Sequence, residues 1–198
     1  MVAGWPARGW WPRVTAYRIT VRQVTSERFA PFGQLLTAEG TRRSIDLYGS
    51  TIDVYSSGII DSDRPVEILV SRSSVREFRL HFLERHFELA QSFIPLGGEP
   101  FVVAVARPDA RLESGVPAFD EIHAFVVPGY VGVTVHRGTW HEPPFALVDD
   151  SVRLTTSHTD LTQGLESKLN EEGEIRQLDV DKRNIEERTG IVVRIDLS

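Results

Sequence analysis

The stretch Glu84-Arg-His86-Phe-Glu-Leu-Ala-Gln91-Ser-Phe-Ile-Pro-Leu-Gly-Gly98, read with His136-Arg-Gly138-Thr-Trp-His141, decides how this chain is organised. Polar side chains stand at 84, 86 and 91 along a pattern of strand, loop and second strand. Successive residues of a strand point to opposite faces, so Glu84 and His86 share one face. A reversal of the chain brings Gln91 beside them, and a later strand adds His141. Four groups able to bind a metal or a polar substrate then converge inside a β-barrel.

The flanking sequence reads the same way. Tyr17 to Val24 alternates as a strand, and Thr25 is placed to cap a short helix from Ser26 to Ala30, stopped by Pro31 and Gly33. Strands are expected at 34–36, 51–56, 66–72 and 77–84, with a polar, turn-rich loop over 37–50. Apolar runs at 91–96 and 100–106 flank Leu96-Gly-Gly-Glu-Pro100, which suits a hairpin. Further strands are expected at 122–127, 131–135 and 145–154, with Pro128-Gly129 as a turn. Many short strands at regular spacing indicate a sandwich or a barrel. After Asp160 the texture changes. Leu161, Leu165 and Leu169 predict a short amphipathic helix, Glu171 to Arg188 a charged, solvated connector, and Gly190 to Leu197 a last strand. The division expected is an N-terminal arm over 1–16, a barrel over 17–160 and a helix/strand extension over 161–198.

Composition narrows the chemistry. The 198 residues fit one domain of ordinary size. The absence of cysteine excludes disulfides, thiolate metal sites and cysteine nucleophiles. A net charge of −6 argues against a nucleic-acid surface, and no apolar run is long enough to cross a bilayer. Lys168 and Lys182 are the only lysines and both lie in the tail, so Schiff-base chemistry in the core is not expected. No nucleotide-binding or serine-hydrolase fingerprint occurs. Metal-assisted or acid–base chemistry remains. The opening segment, with Trp5, Trp10 and Trp11, lacks the apolar core of a signal peptide, so a cytoplasmic protein is expected. That segment reads equally as a disordered leader or as an arm docking on a neighbouring subunit.

The spacing resembles the two-part cupin signature, H-x-H-x(3,4)-E-x(6)-G followed by P-x-G-x-x-H. Glu84 stands at the first His position, His86 at the second, Gln91 at the Glu and Gly98 at the closing glycine. In the second part His136 replaces the proline, Gly138 matches, and His141 is the ligand. More closely, E-R-H-x(4)-Q-x-F-I-P-L-G, then E-x-F-V-V-A-V-A at 99–106, then G-T-W-H-x-P resemble the ureidoglycolate lyase family, as does Phe29-Ala-Pro-Phe-Gly33. The resemblance spans roughly 17–160 and implies a mainly β fold, a cupin-type double-stranded β-helix (jelly-roll) barrel with a few short helices. It implies a carbon–nitrogen lyase that cleaves (S)-ureidoglycolate to glyoxylate and urea in allantoin catabolism; a homodimer is expected because barrels with an added terminal strand commonly pair. A sibling cupin acting on another small hydroxy- or ureido-acid, and a non-catalytic cupin that binds a small acid, are the alternatives.

On this reading His86, His141, Glu84 and Gln91 hold a divalent metal (nickel, manganese or zinc), with Glu84 as the base where it is not a ligand. His136 or Glu142 is the candidate acid. Arg72, Arg79 and Arg137 are candidates for the substrate carboxylate, because an arginine fork suits it. Gln91 offers a donor and an acceptor to the urea group, and Trp140 reads as core or pocket wall. His136 and Arg137 read equally as a salt-bridged rim. His81, His123 and His158 carry no motif and default to structure. Gly97 and Glu142 depart from the lysine and histidine common in bacterial relatives, and both changes bear on substrate choice.

Overall fold

The computed structural model describes residues 15–38, 43–49, 51–159, 163, 168–177 and 179–198. The tryptophans of the N-terminal arm and the Asp160-capped helix, apart from Gln163, Lys168 and Leu169, lie outside the described residues.

Among the described residues the chain forms a ten-stranded sheet, a five-stranded sheet and two short ribbons. From Phe82 onward the chain passes back and forth between the two sheets. Phe82–His86, Phe101–Ala106, His123–Val127 and Trp140–His141 belong to the large sheet, while Ser92–Pro95, Gly132–Val135 and Ser151–His158 belong to the small one. This winding makes a mainly β barrel of the cupin type. The chain ends close it, since Thr15–Gln23 runs parallel to Ile191–Asp196 on one side and to His123–Val127 on the other.

Phe101–Ala106 shows why the large sheet is stable. Every one of its residues is buried, which an alternating amphipathic strand cannot achieve. Phe101, Val103 and Val105 pack with Phe93, Phe125 and Val133 between the sheets. Val102, Ala104 and Ala106 pack on the opposite face with Leu83, Trp140, Phe145 and Ile185. Loop residues and the helix Ile185–Thr189 cover that second face. Asn184 caps this helix by accepting from Glu187 N–H, and Gly190 ends it in the left-handed conformation at φ 69°.

Several sequence expectations change. The helix Ser26–Phe29 is capped by Thr25 as read, its side chain accepting from Arg28 N–H. Pro128-Gly129 is a turn as read, but 96–100 is not a hairpin, because the strands it joins lie in different sheets. The expected strand 77–84 breaks at His81: Arg79–Leu80 pairs with the C-terminal strand and Phe82–His86 with Val180–Asn184. Likewise 145–154 splits into Phe145–Ala146 in the large sheet and Ser151–His158 in the small one. The loop expected over 37–50 contains Arg43–Leu47, which pairs with Ile52–Tyr55 as a ribbon. The solvated connector expected over 171–188 contains Ile175–Arg176 and Val180–Asn184, and both Asp179 and Asp181 are buried. Several of its charges are paired rather than solvated: Asp181 with Arg85 and Arg183, and Glu174 with Arg188.

Candidate functional site

Phe82–His86 places the site by simple alternation. Leu83 enters the outer core, and Arg85 lies on the same outer side, 4.2 Å above the Trp140 ring and 3.1 Å from Asp181. Glu84 and His86 therefore face the barrel interior and line a cavity of about 300 Å³. His141 stands directly across the ladder from Glu84, and Lys182 is Glu84's partner on the other side. Gln91, just before the strand Ser92–Pro95, enters from the small sheet and lines the same cavity.

The four groups meet closely. Glu84 Oε1 lies 3.9 Å from His86 Nε2 and 3.9 Å from His141 Nε2. The Gln91 Oε1 atom is 2.7 Å from His141 Nε2. The candidate ligand atoms of Glu84, His86 and His141 all lie within 4.8 Å of one another.

Burial pushes the Glu84 carboxyl up, but the His86 ring beside it and the charges of His86, His141 and Lys182 outweigh this and hold it at about 2. Burial pushes His141 down to about 4, so at neutral pH it is uncharged. Its Nδ1 faces the Thr139 carbonyl at 2.9 Å and must carry the proton. The Nε2 lone pair then faces Gln91 Oε1, while the Gln91 amide donates to the Thr156 carbonyl at 3.0 Å. Rotating the amide would only move the clash of two acceptors to Thr156. The arrangement thus has one lone pair more than it has donors, which is what a cation resolves. His86 repeats the point, since both ring nitrogens are buried without a hydrogen-bond partner among the described residues. A divalent metal fits this donor set.

The other candidates lie elsewhere. Trp140 is 0% exposed and points into the outer core, because its neighbour His141 takes the interior position. The Arg72 side chain is 76% exposed beside Asp150, on the outward parity of its strand. Arg79 pairs with Glu186, and Arg137 donates to Asp61 and Asp63 at 2.9 and 2.8 Å. His136 shares a separate hollow with Gln34, Asp61 and Arg137, outside the cavity that holds Glu84. Glu142 is buried against Arg76 at 3.1 Å and the His81 N–H at 3.2 Å, and it does not line the cavity. His158 is a core residue, 2.8 Å from Ser62 Oγ and 2.6 Å from Asp179. His158, Asp179 and Glu88 also cluster as possible ligands, but the Arg64 guanidinium already sits among them, 3.0 Å from Glu88 and 3.3 Å from Asp179.

The sequence reading missed one cavity residue of consequence, Arg153. It stands with Thr155 and Ser157 on the inward parity of Ser151–His158. A strand whose inward positions are Arg, Thr and Ser inverts the usual apolar-in pattern. That inversion was the available signal.

Residues 16–174 match the family model described as ureidoglycolate lyase. The ureidoglycolate lyase of Azotobacter vinelandii (strain DJ / ATCC BAA-1303) is 31% identical over 137 residues, 67% of this chain and 80% of that protein. The ureidoglycolate lyase of Pseudomonas fluorescens (strain Pf0-1) is 33% identical over 130 residues, 63% of this chain and 75% of that protein. Among solved structures, RmlC from Streptococcus suis in complex with dTDP-D-xylose aligns over 57% of this chain and 61% of that one, at 14% identity and a TM-score of 0.29. That likeness is too low to carry an argument.

Proposed function

The chain belongs to the ureidoglycolate lyase family, and from that premise we propose that it cleaves (S)-ureidoglycolate to glyoxylate and urea. The observation that carries the reading is the convergence of Glu84, His86 and Gln91 on one cavity wall with His141 buried against Glu84 and Gln91, an ionised carboxylate beside a neutral imidazole.

The substrate is a hemiaminal whose central carbon bears a hydroxyl, a carboxylate and a ureido nitrogen. Cleavage moves one proton from the oxygen to the departing nitrogen as the C–N bond breaks and the C=O bond forms. Glu84 is ionised at neutral pH and accepts the hydroxyl proton. The same carboxyl then returns that proton to the nitrogen of the leaving urea, so no second acid is needed. This removes the requirement for His136 or Glu142, neither of which lines the cavity. His86, His141 and Gln91 would hold a divalent ion, with Glu84 joining them where it is not the base. Such an ion, when bound, supplies Lewis acidity that lowers the pKa of a coordinated oxygen. The apolar wall of Leu69, Phe93, Pro143, Pro144, Ile175 and Val180 limits water at the reacting carbon and strengthens each charge inside.

The same reading makes the protein a cytoplasmic homodimer of purine catabolism. Among the described residues no helix is long and apolar enough to cross a membrane. The ribbon Arg43–Leu47/Ile52–Tyr55 exposes Ile45, Leu47, Tyr48 and Ile52, an apolar surface suited to a second copy.

Glyoxylate release from ureidoglycolate by the purified protein tests the activity, and Glu84→Gln tests the assignment. The amide keeps the shape but removes a charge whose folded-state pKa is held at about 2, so stability at neutral pH should fall by up to about 3 kcal/mol with the fold retained. Turnover should fall by about 10²-fold or more, mainly in kcat. Near-normal turnover in this variant would remove Glu84 from the chemistry. Binding of small hydroxy acids without any turnover would favour the non-catalytic alternative.

A further inference from the structure

We infer that Arg153 receives the carboxylate of the substrate, and that the cavity is therefore selective for anionic α-hydroxy acids over neutral ones. This rests on the activity proposed above for the same cavity, but its evidence is separate from that for Glu84.

Arg153 is 3% exposed, yet it lines the cavity, and its Nη2 is buried with no hydrogen-bond partner among the described residues. No ion pair or side-chain hydrogen bond joins its guanidinium to an acid among the described residues. An arginine cannot shed its charge as a lysine can, so a buried, unpaired guanidinium is costly unless something arrives to pair it. Burial pushes its pKa down and the charge of Glu99 opposes this, without a direct contact between the two. The Phe101 ring lies 5.6 Å beneath the guanidinium and supports a cation without satisfying its N–H groups.

The surroundings suit a carboxylate. Ser71 pairs with Arg153 across the ladder, and Ser71, Ser73 and Thr155 bring hydroxyls to the same cavity. The ladder also sets the scale. Thr156, whose carbonyl holds Gln91, lies three residues along the strand from Arg153, about 10 Å of backbone. An extended arginine and a two-carbon acid together span that gap. A ligand can thus keep its hydroxyl at Glu84 and its carboxylate at Arg153. Arg153 brings a fixed positive charge to the cavity, and that charge attracts an anion.

The test separates this inference from the activity itself. Glycolate and its neutral counterpart glycolamide are titrated calorimetrically into the full-length wild type, Arg153→Met and Arg153→Lys. The wild type should prefer glycolate by at least about 30-fold, the scale of a charge-assisted forked hydrogen bond. Arg153→Met should reduce that preference to within about threefold, and Arg153→Lys should fall between. Arg153→Met should melt no lower than the wild type, because it removes a buried charge that the folded protein leaves unpaired. On ureidoglycolate it should raise KM about 10- to 100-fold with kcat changed less. Wild-type discrimination retained in Arg153→Met, or a loss that appears only together with a collapsed melting temperature, would overturn the inference. A wild type that prefers glycolate through Arg153 yet makes no glyoxylate would overturn the activity and leave this anchor standing. Turnover with an unchanged KM in Arg153→Met would do the reverse.

Discussion

At the residue scale, two buried carboxyls hold their protons very differently. Glu84 faces two imidazoles and Lys182 and stays near 2, whereas burial pushes Glu142 up to about 7 despite Arg76 at 3.1 Å. Glu142 thus has a folded-state pKa above its unfolded value of 4.5. Between pH 4.5 and 7 the folded chain binds the extra proton, so this group's contribution is full below 4.5 and lost as pH rises through 7. His141 works the other way. Its folded value of about 4 lies below 6.5, so its contribution is present above 6.5 and lost as pH falls through 4. Glu142→Gln should remove the first dependence and leave the second. Relative to the wild type it should gain up to about 3 kcal/mol at pH 8 compared with pH 4, read from urea midpoints. An identical pH response in both proteins would mean that Glu142 does not hold its proton. At His86 the readout is metal. The wild type should carry close to one divalent ion per chain, and His86→Ala should lose it while still folding, since the removed ring satisfies no hydrogen bond among the described residues. Metal retained at full occupancy in that variant would exclude His86 as a ligand. The convergence of Glu84, His86, Gln91 and His141 was legible because two compact motifs carry them and strand parity turns Glu84 and His86 to one face. Arg153 was not legible because its role depends on which face of Ser151–His158 is interior, and the expected strand 145–154 hid that parity.

At the scale of elements, Gly and Pro marked the chain reversals correctly but not what they join. A hairpin and a sheet-to-sheet crossover use the same residues, since both need a sharp turn and tolerate missing donors. Here the crossovers at 96–100 and 128–129 press against each other: a Cβ on Gly129 would lie 1.7 Å from the Gly98 carbonyl oxygen. Two backbones in contact cannot yield as a side-chain end can, so Gly129→Ala must displace one crossover. A loss of about 2–3 kcal/mol in urea unfolding is expected, the scale of overpacking in a closed site. Gly98→Ala is the control. Its φ of +85° strains an alanine, but nothing lies within 4 Å of the new Cβ, so about 1–2 kcal/mol is expected. Equal losses in the two variants would show that the close approach does not constrain the barrel.

For the molecule as a whole, the informative segment is the one whose charge disguised it. Residues 171–188 read as a solvated connector because acids and bases crowd together there, yet the partners of Asp179 and Asp181 lie inside the fold. Asp181 meets Arg85, which lies over Trp140, and Asp179 meets His158. Val180–Asn184 pairs with Phe82–His86 along its whole length, and Ile175 and Val180 form part of the cavity wall. The family match ends at residue 174, so the wall behind Glu84 is completed by chain outside the matched region. Ile191–Asp196 then docks beside the first strand in parallel, which ties the end of the chain to its beginning. Deleting residues 175–198 should therefore do more than shorten a tail. It would leave Phe82–His86 as an open edge, strip the partner from Arg85 above a buried tryptophan, and unroof the cavity at Glu84. Exposed edges of this kind invite aggregation, and an unpaired charge against a core aromatic is costly. The truncated protein should lose cooperative thermal unfolding and near-ultraviolet dichroism, and with them all glyoxylate formation. A gentler change isolates the wall from the fold. Val180→Ala keeps the strand's hydrogen bonds and removes only part of one cavity side chain, so it should lower the melting temperature slightly and raise KM more than it lowers kcat. If the truncated chain melted cooperatively and turned over ureidoglycolate at the full-length rate, the C-terminal strands would be an appendage and the cavity would be complete without them.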